Sequence, residues 1–306
     1  MTTPHMRVLM SGASGLLGAA IAQALEGKGA LVSRLVRGGA PSSAAHIRWQ
    51  PGQPLDLAPG FDAVIHLAGE SVVGRWTAAK KARIRDSRVL GTRTLAEAAA
   101  RLERKPRVFL AASAIGYYGD RGDEILREDS IYGTGFLAEI CREWEAAADP
   151  AVQAGIRVVH LRIGVVLSRQ GGALDKMLPP FRLGLGGRLG NGRQWWSWIH
   201  VDDLVGAAQH ILDHETLRGP VNLVAPNPAR NADFTAALGQ ALSRPAIFPV
   251  PKFALRLALG EMADGALLAS QRVEPARLLA SGYAFRFPEL RAALENILEK
   301  RTARIV

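Results

Sequence analysis

A doubly wound, Rossmann-like parallel α/β sheet with a smaller C-terminal substrate lobe is the fold this sequence predicts. Three observations carry that expectation. Near the N-terminus an apolar run ends in a glycine-rich turn and passes at once into helical spacing. Strand and helix signals then alternate as far as about residue 168. Beyond Ser168 the pattern changes to glycine-rich and tryptophan-rich segments interleaved with helices. Alternating strands and helices point to a parallel sheet covered on both faces, with right-handed crossovers.

The elements follow in order. Residues 7–11 (RVLMS) read as the first strand. Leu17, Ile21, Ala24 and Leu25 fall on one side of a helix over 16–28. A second strand is expected over 30–36, and a proline-rich loop over 41–59 with a short strand at 47–49. Residues 62–67 (DAVIHL) are a strand rich in branched side chains, followed by a long helix over 77–102. Residues 107–113 (RVFLAAS) give a strand, 136–148 a helix, and 157–163 (RVVHLRI) another strand. Five glycines then fall between Gly184 and Gly192, just ahead of the aromatic run QWWSW at 194–198. Helices are expected over 202–213, 233–242, 253–268 and 290–300.

Composition narrows the function classes. The 306 residues are 48% hydrophobic and 22% charged, as in a folded globular chain. The one cysteine, Cys141, excludes an internal disulfide framework and a multi-cysteine zinc site. It fits a reducing compartment, and the cytoplasm is the expected location. The charge-free run over 8–25 is too rich in glycine and serine for a spanning helix, so no membrane role is expected. No metal is expected either: His210 and His214 share a helix face but lack the intervening glutamate of a metalloprotease motif.

Net charge is +10, and most of it sits in residues 71–107, where eleven basic residues meet only Asp86, Glu97 and Glu103. A patch for an anionic partner or phosphorylated cofactor is one reading; a solvated helix face is the other. No nucleic-acid motif accompanies the run, so a small-molecule substrate is expected and a nucleic-acid partner is not. The oligomeric state, monomer or homodimer, stays open.

The turn Gly12-Ala13-Ser14-Gly15-Leu16-Leu17-Gly18 lies between the first strand and first helix. Glycines at 12, 15 and 18 permit a tight turn, close approach to a diphosphate, and close helix–strand packing. The helix start offers free N–H groups and a positive dipole end. The end of the second strand selects the cofactor. No acid occurs from Gly27 to Gln50, so nothing is placed to bond a ribose 2′-hydroxyl. Val36 and Arg37 stand there instead, and a guanidinium suits a 2′-phosphate. NADP(H) is therefore expected in preference to NAD(H), although Arg37 also reads as a plain surface arginine.

The motifs GASGLLG (12–18), DAVIHLAGE (62–70), SAIGYYG (113–119) and WIHVDDL (198–204) together resemble the extended short-chain dehydrogenase/reductase superfamily. The segments RWTAAKKARIRDSRVLGT (75–92), PPFRLGLGG (179–187) and LLASQRV (267–273) with Pro275 resemble its atypical epimerase-family branch. The likeness runs from Met6 to about Leu298. It implies a nucleotide-binding domain over 6–168 plus about 199–225, and a smaller lobe over 169–198 and 226–306. It also implies that Leu67, Ala68 and Gly69 line the adenine and ribose, and that the segment from Arg162 to Val166 (RIGVV) touches the nicotinamide side. Arg88 stands where extended members carry asparagine, which suggests that it alone turns inward from the basic helix.

The superfamily's proton machinery is Ser with Tyr-x-x-x-Lys on one helix, the lysine lowering the phenol pKa. Ser113 matches the serine. Leu137 and Cys141 stand where the tyrosine and lysine belong, and none of the four tyrosines has a lysine four residues on. Ser113 and Tyr117 are the catalytic candidates, with Tyr118 as the neighbouring phenol; Tyr117 also reads as a lining residue. Cys141 reads as a buried small side chain or an activated thiolate, and Glu70 as a cleft acid or a helix-entry acid. Trp195, Trp196 and Trp198 read as a substrate wall or as core. An NADP(H)-dependent oxidoreductase or epimerase for a small carbonyl or sugar-like substrate is the first expectation. A non-catalytic NADPH-binding sensor is the alternative.

Overall fold

In a computed structural model, which describes residues 5–38, 43 and 45–299, seven strands form one parallel sheet. They are β1 (Arg7–Ser11), β2 (Leu31–Val36), β3 (His46–Arg48), β4 (Ala63–His66), β5 (Val108–Ala114), β6 (Arg157–Ile163) and β7 (Gly219–Leu223). Their spatial order is β3-β2-β1-β4-β5-β6-β7, so the direction of winding reverses between β1 and β4. Ligands of such sheets bind outside the strand C-termini at that reversal. Register brings Ser11 at the end of β1 opposite His66 at the end of β4.

Both faces of the sheet are covered. Val8, Met10, Ile65 and Leu110 point to one side, where they meet Ile21 and Leu25 of α1 (Leu16–Glu26) and Leu204 and Ile211 of the helix Val201–Asp213. Leu9, Val64 and Phe109, one residue out of step, point to the other side. There they meet Leu95 and Ala99 of α2 (Ala78–Arg101). This two-residue alternation is why the strands read as unbroken apolar runs. Each large side chain so buried contributes about 1.5–3 kcal/mol. The Thr77 hydroxyl caps α2 by accepting from the Lys80 N–H at 3.2 Å.

A separate core lies among the later segments. Leu174, Leu178 and Phe181 of the helix Gly172–Arg182 pack with Trp196, Trp198, Phe234, Leu294 and Ile297. Trp196 and Trp198 are therefore core, and only Trp195 keeps the lining option. Asp203, fully buried, joins this part to the sheet. Its carboxylate accepts from the Arg286 N–H at 2.7 Å and the Phe287 N–H at 2.9 Å. His200 caps the helix that follows it by accepting from the Asp202 N–H.

The helix Gly172–Arg182 is absent from the sequence reading, and two further elements differ from it. The helix expected over 253–268 is broken. Lys252–Leu259 is helical, Gly260 turns at φ +61°, and a π-turn spans Ala263–Leu267. The break lets Met262 pack on Trp76 and Gly265 lie against the Trp76 ring. Strand β7 (GPVNL) was not anticipated, because glycine and proline hide it; as an edge strand it tolerates Pro220.

Candidate active site

The glycine turn is shaped by contacts that no side chain would survive. A Cβ on Gly12, at φ +71°, would lie 2.7 Å from the Ala68 nitrogen. A Cβ on Gly18 would lie within 3 Å of the Gly12 backbone. Helix α1 thus starts directly over the end of β1, and no side chain caps it. Its first N–H groups, from Leu16, Leu17 and Gly18, have no intrahelical acceptor, and the Gly12 turn just before them packs on the Leu67–Ala68 backbone. Gly172 brings the Val166 segment to this point: a Cβ there would lie 3.4 Å from Leu16 and 3.7 Å from the Val166 oxygen. Gly12 to Gly18, Leu67, Ala68 and Val166 are thereby gathered at the winding reversal. This cradle, cleared of side chains beside an uncapped helix start, fits a diphosphate.

Two side chains stiffen its floor. Ser11 Oγ lies 2.5 Å from His66 Nδ1 and accepts from the Ala68 N–H at 3.4 Å. Burial, aided by the charge of Arg88, lowers the His66 pKa to about 3, so the ring is neutral.

Arg88 does turn inward. Its guanidinium donates to the Glu70 carbonyl at 2.8 Å and the Ile84 carbonyl at 3.1 Å, sits against Gly69, and stacks on Trp144 at 4.9 Å. Burial lowers its pKa. It is not the only inward-acting cation of α2. The Lys80 ammonium meets the Glu70 carboxylate at 2.7 Å, and Arg83 approaches it to 3.9 Å. Glu70 is therefore an ion-paired acid at the edge of the opening. Arg37 lies exposed beyond β2, close enough for its charge to act on Glu70.

At the end of β5, Ser113 is buried and its hydroxyl donates to Glu145 at 2.7 Å. Glu145 lies on α3 (Phe136–Ala146), and the same carboxylate takes two hydrogen bonds from Arg162 of β6, at 2.9 and 3.0 Å. Burial opposes the Arg162 charge, but the Glu145 bonds more than offset it and raise its pKa. Arg162 also donates to the Tyr118 hydroxyl, which in turn donates to Asn222 of β7. Burial pushes the Tyr118 phenol up to about 12, so Tyr118 is a fixed, protonated link.

Tyr117 differs. It is half-buried, the Arg162 guanidinium carbon lies over its ring at 3.5 Å from the centroid, and no described residue bonds its hydroxyl. The Ile115–Tyr118 turn that carries it is pinned through the loop that follows. Ser270 donates its N–H to Asp120 and its hydroxyl to the Gly122 carbonyl, and accepts from the Trp195 N–H. Trp195 itself lies between Arg230 and Arg272, at 4.6 and 4.7 Å. Cys141 is buried, and its thiol is pushed up to about 12 by burial and by Glu145.

The sequence reading missed Glu145 altogether, and took Arg162 only as the start of a cofactor-side segment. The available signal was a carboxylate one helical turn past Cys141 on the face that carries Ile140, Cys141 and Trp144 inward.

Comparisons with known proteins identify the family. Residues 8–223 match the NAD dependent epimerase/dehydratase family, and residues 250–297 match a domain of unknown function, DUF1731. An epimerase family protein of Mycobacterium leprae is 42% identical over 291 residues, covering 94% of each chain. The mouse epimerase family protein SDR39U1 is 40% identical, over 96% of this chain and all of that one. A crystal structure of human SDR39U1 (isoform 2) with NADPH superposes with a TM-score of 0.88 at 37% identity, covering 96% of this chain and 99% of that one. A cradle at the winding reversal, the inward Arg88 and a family match over most of the chain lead to one conclusion: this protein belongs to the NAD dependent epimerase/dehydratase family, in its SDR39U1-like epimerase-family branch.

Proposed function

We propose that the protein is an NADPH-dependent reductase or epimerase of atypical short-chain type, acting on a small carbonyl or sugar-like substrate. The observation that carries this reading is Tyr117, a half-buried phenol with an unbonded hydroxyl, its ring against a buried arginine, in the turn after β5, the strand next to the one that ends at the cradle. The NADPH in the human relative's structure supports the choice of cofactor. When bound, the nicotinamide supplies or accepts a hydride. Gly12 to Gly18 and the start of α1 hold the diphosphate, while Leu67 to Gly69 line the adenosine half. Arg37 favours the 2′-phosphate. Tyr117 hands a proton to the carbonyl oxygen, and Arg162 fixes the ring that does so. Ser113 acts behind it, through Glu145. Residues 169–198 and the described part of 226–306, through Glu299, are the smaller lobe that meets the substrate.

One observation favours a second reading, a non-catalytic NADPH-binding protein. Leu137 and a protonated Cys141 fill the places of the superfamily's tyrosine and lysine, and the Ser113 hydroxyl is already given to Glu145. Loss of nicotinamide absorbance over a broad panel of carbonyls, read beside epimer interconversion over a panel of sugars, separates the two, because an epimerase returns its hydride and leaves no net oxidation. Oxidation of NADPH by any of the carbonyls, or interconversion of any of the epimers, abolished by Tyr117→Phe, supports the enzyme. Tight NADPH binding with neither oxidation across the carbonyls nor interconversion of sugar epimers supports the sensor.

A further inference from the structure

Glu70 occupies an unusual position for a carboxylate. It follows directly on the Leu67–Gly69 turn, and its backbone is fastened at two points. Its N–H donates to Ser87 Oγ at 2.9 Å, and its carbonyl accepts from Arg88 at 2.8 Å. Its side chain is thereby fixed at the rim of the cradle with about a third of its surface exposed, at 36%. Lys80, only 15% exposed, bonds it at 2.7 Å, and Arg83 stands 3.9 Å away. The Lys80 hydrogen bond, then the charges of Lys80, Arg83 and Arg37, hold its carboxyl below the ordinary range. Two cations from the first two turns of α2 therefore meet one carboxylate, and Arg37, beyond the end of β2, adds its charge without a direct contact.

We infer that Glu70 is an internal counter-anion: it holds Lys80 and Arg83 in place at the rim and competes with the cofactor's 2′-phosphate for them. The inference rests on the NADPH reading above. A phosphate monoester carries nearly two negative charges at neutral pH, against one for the carboxylate, and offers three acceptor oxygens. It outcompetes Glu70 for cations that the carboxylate has already brought together. A 2′-hydroxyl cannot, so in the presence of NAD(H) the Glu70–Lys80 pair stays closed. Cofactor selection is thus set by an exchange of ion pairs as well as by Arg37.

The test uses the full chain and two nucleotide probes, 2′,5′-ADP and 5′-AMP, with NADPH alongside, titrated at low and high salt. Glu70→Gln removes the competitor. It is expected to tighten 2′,5′-ADP by on the order of two- to fivefold, the worth of a partly exposed ion pair. It should also steepen the salt dependence of that binding and leave 5′-AMP unchanged. Lys80→Met and Arg83→Met are expected to weaken 2′,5′-ADP selectively. Weaker 2′,5′-ADP binding by Glu70→Gln, or an equal change for both probes, overturns the inference while leaving the cofactor reading standing. Failure of the wild type to bind NADPH at all overturns both.

Discussion

A methyl group built on Gly116 would touch Cys141, its Cβ lying 3.8 Å from Sγ, so the turn carrying Tyr117 sits directly on the cysteine. The thiol occupies the lysine's place without the lysine's charge, and at about 12 its pKa keeps it protonated at neutral pH. A protonated thiol is neither nucleophile nor cation. Cys141→Ala is therefore expected to leave NADPH affinity and turnover nearly unchanged, and the native thiol to resist alkylation at pH 7. Rapid alkylation of the folded protein, or lost turnover in a well-folded Cys141→Ala, would sink this view.

Tyr117→Phe removes the one phenol at the cleft whose hydroxyl is uncommitted. Loss of a positioned acid costs about 10²–10⁴-fold in rate. The expected outcome is a fall of that order in kcat with NADPH affinity nearly intact. Ser113→Ala should also slow turnover, by less, because its hydroxyl reaches the site only through Glu145. A larger loss for Ser113→Ala than for Tyr117→Phe would reverse the assignment.

Breaking the Glu145–Arg162 pair is expected to be costly in stability. The two side chains are 12% and 3% exposed, and Glu145→Ala leaves the guanidinium buried without its carboxylate. Removing one partner of a buried ion pair typically costs about 3–5 kcal/mol. Urea unfolding of Glu145→Ala should show a loss of this order. A midpoint equal to the wild type's would mean that Tyr118 and the backbone suffice to hold Arg162.

Arg88→Ala should weaken NADPH, since Arg88 braces both Gly69 and the Glu70 carbonyl. Arg93→Ala, on the exposed face of the same helix, should not. Arg37→Ser is expected to cost NADPH about 1.5–3 kcal/mol while sparing NAD(H). Comparable losses in all three variants would indicate a diffuse field rather than particular contacts.

His66 makes stability depend on acid. Unfolded, it protonates near 6.5; folded, only near 3. Between those values the unfolded chain binds the extra proton, so stability falls as pH falls, by about 1.4 kcal/mol per unit from this group. Denaturant midpoints measured from pH 7 to pH 5 should decline, and His66→Asn should flatten the decline. An unchanged slope in that variant would place the acid sensitivity elsewhere, for instance at His160, whose pKa burial also lowers.

Local chemistry was legible in the sequence and long-range pairing was not. Six of the seven sheet strands and the glycine cradle follow from patterns a few residues long, branched apolar runs and glycines at set spacing, while the inward Arg88 followed from its match to the superfamily's asparagine position. The Glu145–Arg162 pair joins a helix to a strand 17 positions on, and Glu128 reaches Asn222 across 94. Neither spacing is a repeat of helix or strand. The basic run over 71–107 illustrates the same divide. Its charge was evident, but only the fold shows that Lys80 and Arg83 meet Glu70 while Arg85 pairs with Glu143 and Arg101 reaches the Leu55 carbonyl.

The late arrival of β7 has a consequence for synthesis. Gly219 pairs with Val159, so the outer edge of β6 acquires its neighbour only after some sixty further residues have left the ribosome. At ordinary elongation rates of about 5–20 residues per second, that takes roughly 3–12 seconds. Through that interval the nascent sheet presents a bare edge carrying Val158, Val159 and Leu161, and a bare edge is a template for another chain. Aggregation during expression should therefore concentrate in this window. A premature stop between residues 168 and 218 would make the exposed edge permanent.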